Sequence, residues 1–142
     1  MEESAAQILE VRPAEVGGDA SITFSVSSQA SQAALVALSE QLDRRRAAPL
    51  ESAEDVQELR QATELVERCE ALAATGAHAV VHFSPEELRA CLVELTGYVE
   101  RMDVDGFQPP ELRERLRVIG QITPVLWDAN AAASRPMAPL PS

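Results

Sequence analysis

The stretch His78-Ala79-Val80-Val81-His82-Phe83-Ser84-Pro85-Glu86-Glu87 decides the fold class. Its first six residues are rich in β-branched and aromatic side chains, the composition of a short strand. Ser84 then offers an N-cap, Pro85 suits the first helical position, and Glu86 and Glu87 put acids in the first turn. A strand must therefore run straight into a helix. That helix carries Leu88, Cys91, Leu92, Leu95, Tyr98, Val99 and Met102 on one stripe.

Upstream of this junction, Ser52 with Asp55 three residues on resembles a capping box that uses Asp in place of Glu or Gln. Leu59, Ala62, Leu65, Val66, Cys69, Leu72 and Ala73 then occupy one arc of about 140°, a confined apolar face that predicts a helix ending near Thr75-Gly76. Another helix is expected from about Ser31 to Ala47, with Ala34, Leu35, Leu38 and Leu42 on one side and Arg44, Arg45 and Arg46 at its end. Ile22, Phe24 and Val26 alternate with Thr23 and Ser25, which predicts a half-buried strand over Ser21 to Ser27. Ile8 to Arg12 reads as a first strand, a short helix or a loose arm. Gly17-Gly18-Asp19 lies between these two segments as a turn signal of the hairpin kind.

Downstream, Asp103-Val104-Asp105-Gly106 ends one helix, and Pro109-Pro110-Glu111 opens another whose apolar side is Leu112, Leu116, Ile119 and Ile122. Thr123-Pro124 looks like a second cap and start, so a break or kink is expected there before a short helix carrying Trp127. From Ala133 onward the proline-bearing end reads as a disordered tail. A faint repeat also runs through the chain. Residues Ile22 to Leu42 and Ala79 to Val99 superpose with a shift of 57, and after a gap of four Glu58-Leu59-Arg60 meets Glu111-Leu112-Arg113.

These elements predict an α+β fold of four to five helices packed on a small two- to three-stranded sheet, a degenerate β-α-α repeat being one form of it. The expected organisation is an acidic arm or first strand at 1–18, a single domain at 19–132 and a tail at 133–142.

The chain of 142 residues has 23 acidic side chains against 12 basic ones, for a net charge of −11, and each basic residue is arginine. Without lysine there is no Schiff base, no lysine general base and no usual phosphate-binding loop. The acidity disfavours generic binding to phosphate backbones or anionic membrane surfaces. Abundant Ala and Arg without Lys is what a GC-rich genome encodes, which suggests a high-GC bacterial source. The acidic start Met1-Glu2-Glu3-Ser4 and the lack of any apolar run near the 18 or so residues of a span predict a cytoplasmic protein that does not enter a membrane.

Motifs for chemistry are sparse. His78 and His82 have the spacing of a zinc-protease helix, but Ala79 stands where the general base belongs. On a strand, positions four apart are separated by about 13 Å, too far to share one ion. Setting Gly106 at the sixth position of a calcium loop puts Arg101 first and Leu112 twelfth, which removes two ligands. Cys69 and Cys91 belong to no C-x-x-C pair and fall on apolar stripes, so both are expected buried and reduced. No serine lies in a nucleophile elbow, and no glycine set builds a nucleotide loop. The chain is accordingly expected to have no enzymatic activity, no metal and no cofactor.

What remains is association: a non-catalytic module that binds another protein or a second copy of itself. The candidate contact surface is Arg115, Ile119, Ile122 and Trp127, because Trp and Arg are enriched at interface hot spots and Arg115 intrudes on an apolar stripe. Trp127 reads also as a core or capping residue, and Arg115 as one that snorkels. Two further readings stand beside this one. Arg44, Arg45 and Arg46 with Arg113, Arg115 and Arg117 would serve a small DNA-binding regulator. An enzyme with an unrecognised carboxylate site would show a deep pocket lined by two or more acids.

Overall fold

A computed structural model describes residues 6–12, 19–75, 79–102 and 108–134. Strands β1 (Ala6–Arg12) and β2 (Ser21–Val26) come first, followed by helices α1 (Ser28–Ala47) and α2 (Ala53–Ala73). Strand β3 (Ala79–Phe83) then leads into α3 (Pro85–Met102) and α4 (Pro110–Ser134). The three strands form an antiparallel sheet in the order β1-β2-β3. The described residues thus form an α+β fold of four helices on a three-stranded sheet. No described helix is long and apolar enough to cross a membrane.

Period-two alternation places the helix layer on one face of the sheet. Ile22, Phe24, Val26, Ala79, Val81 and Phe83 are buried, while Thr23 and Ser25 are half-buried and Val80 and His82 are exposed. Phe24 and Phe83 stack across the two strands with ring centroids 5.8 Å apart. β1 is a strand in fact, and a bulge explains why its sequence is ambiguous. The register shifts between Ile8 and Glu10, so Ala6, Ile8 and Val11 pack on the core at spacings of two and then three, and Leu9 is turned outward.

Serines set where α1, α2 and α3 begin. Ser27 Oγ accepts from the Ala30 amide at 3.0 Å, so α1 starts three residues earlier than its apolar pattern suggests. Ser84 Oγ accepts from the Glu87 amide at 3.2 Å while Glu87 Oε1 accepts from the Ser84 amide at 3.1 Å, a complete capping box. Ser52 Oγ takes the Asp55 amide at 3.2 Å, but the shorter Asp55 carboxylate reaches back to the Glu51 amide. α1 lies centrally against the other three helices, and its buried side is mostly alanine (Ala30, Ala33, Ala34, Ala37), which admits close neighbours on several sides.

The expected break at Thr123-Pro124 is corrected: α4 is one helix that passes through Pro124. Pro124 forfeits one backbone bond and crowds the carbonyl four residues back, a cost of about 3 kcal/mol in a helix interior. Burial on both sides outweighs it, because Ile119, Ile122, Leu126, Ala129 and Ala133 continue a single inward stripe. Trp127 therefore sits in the same helix as Arg115. Helix also reaches Ala133, which is buried, and Ser134, the first two positions of the expected tail. The turn glycines Gly17 and Gly18, His78, the Asp103-to-Gly106 segment and residues 135–142 lie outside the described residues.

The repeat is visible in the elements themselves. β2-α1-α2 and β3-α3-α4 are two β-α-α units, with α1 and α3 beginning at Ser28 and Pro85 and α2 and α4 at Ala53 and Pro110, each pair 57 apart. The capping serines Ser27 and Ser84 keep the same interval, and no gap of four is needed.

Candidate functional site

Helix α4 spends its apolar stripe inside the chain. Ile119 and Ile122 are 0% and 3% exposed and belong to the core, where α4 meets α3, β1 and α1. Arg115 is half-buried and donates from Nη1 to Tyr98 Oη at 3.0 Å, which explains a cation inside that stripe. Trp127 is also half-buried, with Nε1 3.4 Å from Thr96 Oγ1. The four residues share a helix but do not share an outward surface. An apolar stripe shows which side of a helix turns inward; it does not show whether the neighbour is the same chain or another.

The arginine sets are similarly divided. Arg45 is the hub of a network joining α1, α2 and α3. Its Nε donates to Glu94 Oε1 at 2.9 Å, Nη2 adds a second bond to the same oxygen, and Nη1 donates to Glu58 Oε2 at 2.9 Å. Gln41 Nε2 approaches the other Glu94 oxygen at 3.5 Å, and Gln41 Oε1 accepts two bonds from Arg101. Hydrogen bonding to Glu94 holds the Arg45 guanidinium above its ordinary range. Arg115 is held by Tyr98 and the exposed Arg117 is paired with Glu114 on its own helix, while Arg44, Arg46 and Arg113 also face outward.

Sequence reading missed Glu94, although the signal existed. Three residues after Cys91 and four before Tyr98, it interrupts an apolar stripe just as Arg115 does, and its side chain is 8% exposed. Glu58, Glu86 and Glu94 line a groove of about 270 Å³ between α2 and α3, together with Arg45 and Arg89. The Arg45 bonds give Glu58 and Glu94 structural partners, so this is a braced polar seam between helices.

No described helix lies over the opposite face of the sheet. Across its three strands run Gln7, Ser25 and Val80, then Glu10, Thr23 and His82, then Arg12 and Ser21. Thr23 Oγ1 and His82 Nδ1 share a hydrogen bond of 2.9 Å, and Glu10 pairs with Arg12 at 2.8 Å. Val80 and Leu9 on this side are 57% and 51% exposed, Val80 being the most exposed large apolar side chain among the described residues. At the outer edge of β3, Arg68 of α2 donates to the His82 carbonyl at 2.6 Å and to Glu87 Oε2 at 2.7 Å, with its guanidinium carbon 3.8 Å above the Phe83 ring.

Both cysteines are buried and unpaired, Cys69 on α2 and Cys91 on α3. Burial pushes the Cys69 thiol up to about 11 and Cys91 higher still. Since the folded state disfavours the Cys69 thiolate, its contribution to stability is complete below about pH 8.5, the unfolded thiol's range, and declines as pH rises towards 11. Thermal melts from pH 8 to 11 are expected to show a falling midpoint, with a shallower fall in Cys69→Ala. Equal slopes in the two proteins would exclude the thiol as a source.

Comparison with protein-family models, curated proteins and solved structures returns no match for this chain.

Proposed function

We propose that the chain is a non-catalytic module that associates with another protein or with a second copy of itself. The observation that carries this reading is the side of the sheet over which no described helix lies, where Val80 and Leu9 present apolar surface beside a row of short hydroxyl side chains. The helix layer supports it as a rigid back, since the Arg45 network ties α1, α2 and α3 together behind the sheet. The cationic reading has less support, because Arg45, Arg115 and Arg117 are all engaged within the chain.

Light scattering across a concentration series, combined with pull-down from native lysate, tests the reading. Concentration-dependent mass, or specific capture lost when Val80 and Leu9 are both changed to Ser, is the expected result. A strict monomer that captures nothing would sink it.

A further inference from the structure

β2 and β3 are related by a local two-fold axis through the facing pair Phe24 and Val81. These residues are 57 apart, and that shift maps the register around them, Ile22 with Phe83 and Val26 with Ala79, onto itself. It is the interval that also relates the capping serines and the helix starts. Applied to β1, the operation puts a strand beyond β3 and antiparallel to it, in the place that β1 holds beside β2. No described strand lies there. Residues 63–69, the equivalents of β1, belong to α2, and β3 is the last strand among the described residues.

We propose that the outer edge of β3 is a docking site for an extended segment of a partner protein, antiparallel to β3, apolar at alternate positions and basic between them. This rests on the interaction reading above and names its surface and the partner's chemistry. The backbone is directed for it. The His82 carbonyl accepts from Arg68 and so points away from β2; strand periodicity gives the amide and carbonyl of Val80 the same direction. The side chains suit it too. Leu72 of α2, which borders the core beside Val81 and Phe83, is only half-buried and offers apolar surface against which inward residues of an added strand would pack.

Charge selects the occupant. Around Arg68, which α2 supplies to this edge, the helix carries the exposed carboxylates Glu64, Glu67 and Glu70. A second copy would bring the same carboxylates to the junction, whereas a basic strand is attracted there. Arg68 is the removable cap: when an incoming amide takes the His82 carbonyl, Arg68 keeps Glu87 and the Phe83 ring.

The test uses the full chain, labelled for NMR, and a blocked heptapeptide of alternating arginine and valine. The Val80 and His82 amides should shift and exchange about tenfold more slowly with peptide, and affinity should fall as salt rises. Val80→Pro should weaken binding about tenfold or more yet leave the thermal midpoint nearly unchanged, because that amide faces away from β2 and donates to no described strand. Independently, reversing the exposed pair Glu64→Arg and Glu67→Arg should weaken binding about fivefold or more. Shifts mapping elsewhere, equal binding of a glutamate-valine counterpart, or protection of Val80 and His82 in the free monomer would each overturn the site. Dimerisation through β3 would replace the partner by a second copy. If the probe fails while Val80→Pro still captures the wild-type chain's partner, the docking edge falls and the interaction reading stands.

Discussion

Replacing Phe24 by alanine will destabilise the chain by about 3–5 kcal/mol, the usual cost of emptying a buried aromatic position. Phe24 is 2% exposed, at the middle of the central strand, stacked on Phe83 and facing Val81 across the ladder. The space it leaves is bounded by both β-α-α units, since the crevice beside it is lined by Val26, Ala30 and Ala34 of one and by Leu88, Cys91 and Leu95 of the other. Little of that lining can collapse without shifting a helix. Denaturant unfolding should show the loss as a lower midpoint at unchanged slope. A loss below about 1 kcal/mol would mean that the sheet face is far looser than its close packing indicates.

The second large effect is expected at Glu94. Glu94→Leu removes the chief partner of Arg45, leaving a half-buried guanidinium with Glu58 alone. Breaking a fully buried pair from one side costs about 3–5 kcal/mol; with the Arg45 side chain 33% exposed and able to reach water, about 2 kcal/mol is expected. Adding Arg45→Met should recover most of it, because a matched apolar pair no longer strands a charge. The double-mutant cycle decides the matter. If the double variant is as unstable as the sum of the singles, the two side chains act separately and the network is not a brace.

Much of the fold could be read from short-range chemistry. Ser84-Pro85-Glu86-Glu87 marks the strand-to-helix junction because capping acts within three or four residues, and the structure places β3 and α3 on either side of it. Three features escaped for reasons of range or competition. The Leu9 bulge breaks the alternation by which β1 would be recognised, and only pairing with β2 reveals it as a strand. Pro124 sends a strong local stop signal that the buried stripe on both sides overrides. The Arg45 network joins positions 41, 45, 58, 94 and 101, which no local pattern connects. Two of the four candidate contact residues, Ile119 and Ile122, are spent on the chain's own core, which no local pattern distinguishes from a contact surface.

The pairing of β2 with β3 also bears on how the chain acquires its shape. Between these neighbours lie α1, α2 and the segment after them, so the central ladder closes over roughly 50 residues while each helix needs only local contacts. The N-terminal half holds only the β1-β2 ladder, β3 comes from the second β-α-α unit, and the buried side of β2 is complete only when both halves are present. A nick between α2 and β3 would therefore yield two fragments that must find each other before either is native, and during synthesis the first half must wait, with Ile22, Phe24 and Val26 partly uncovered, until β3 has emerged.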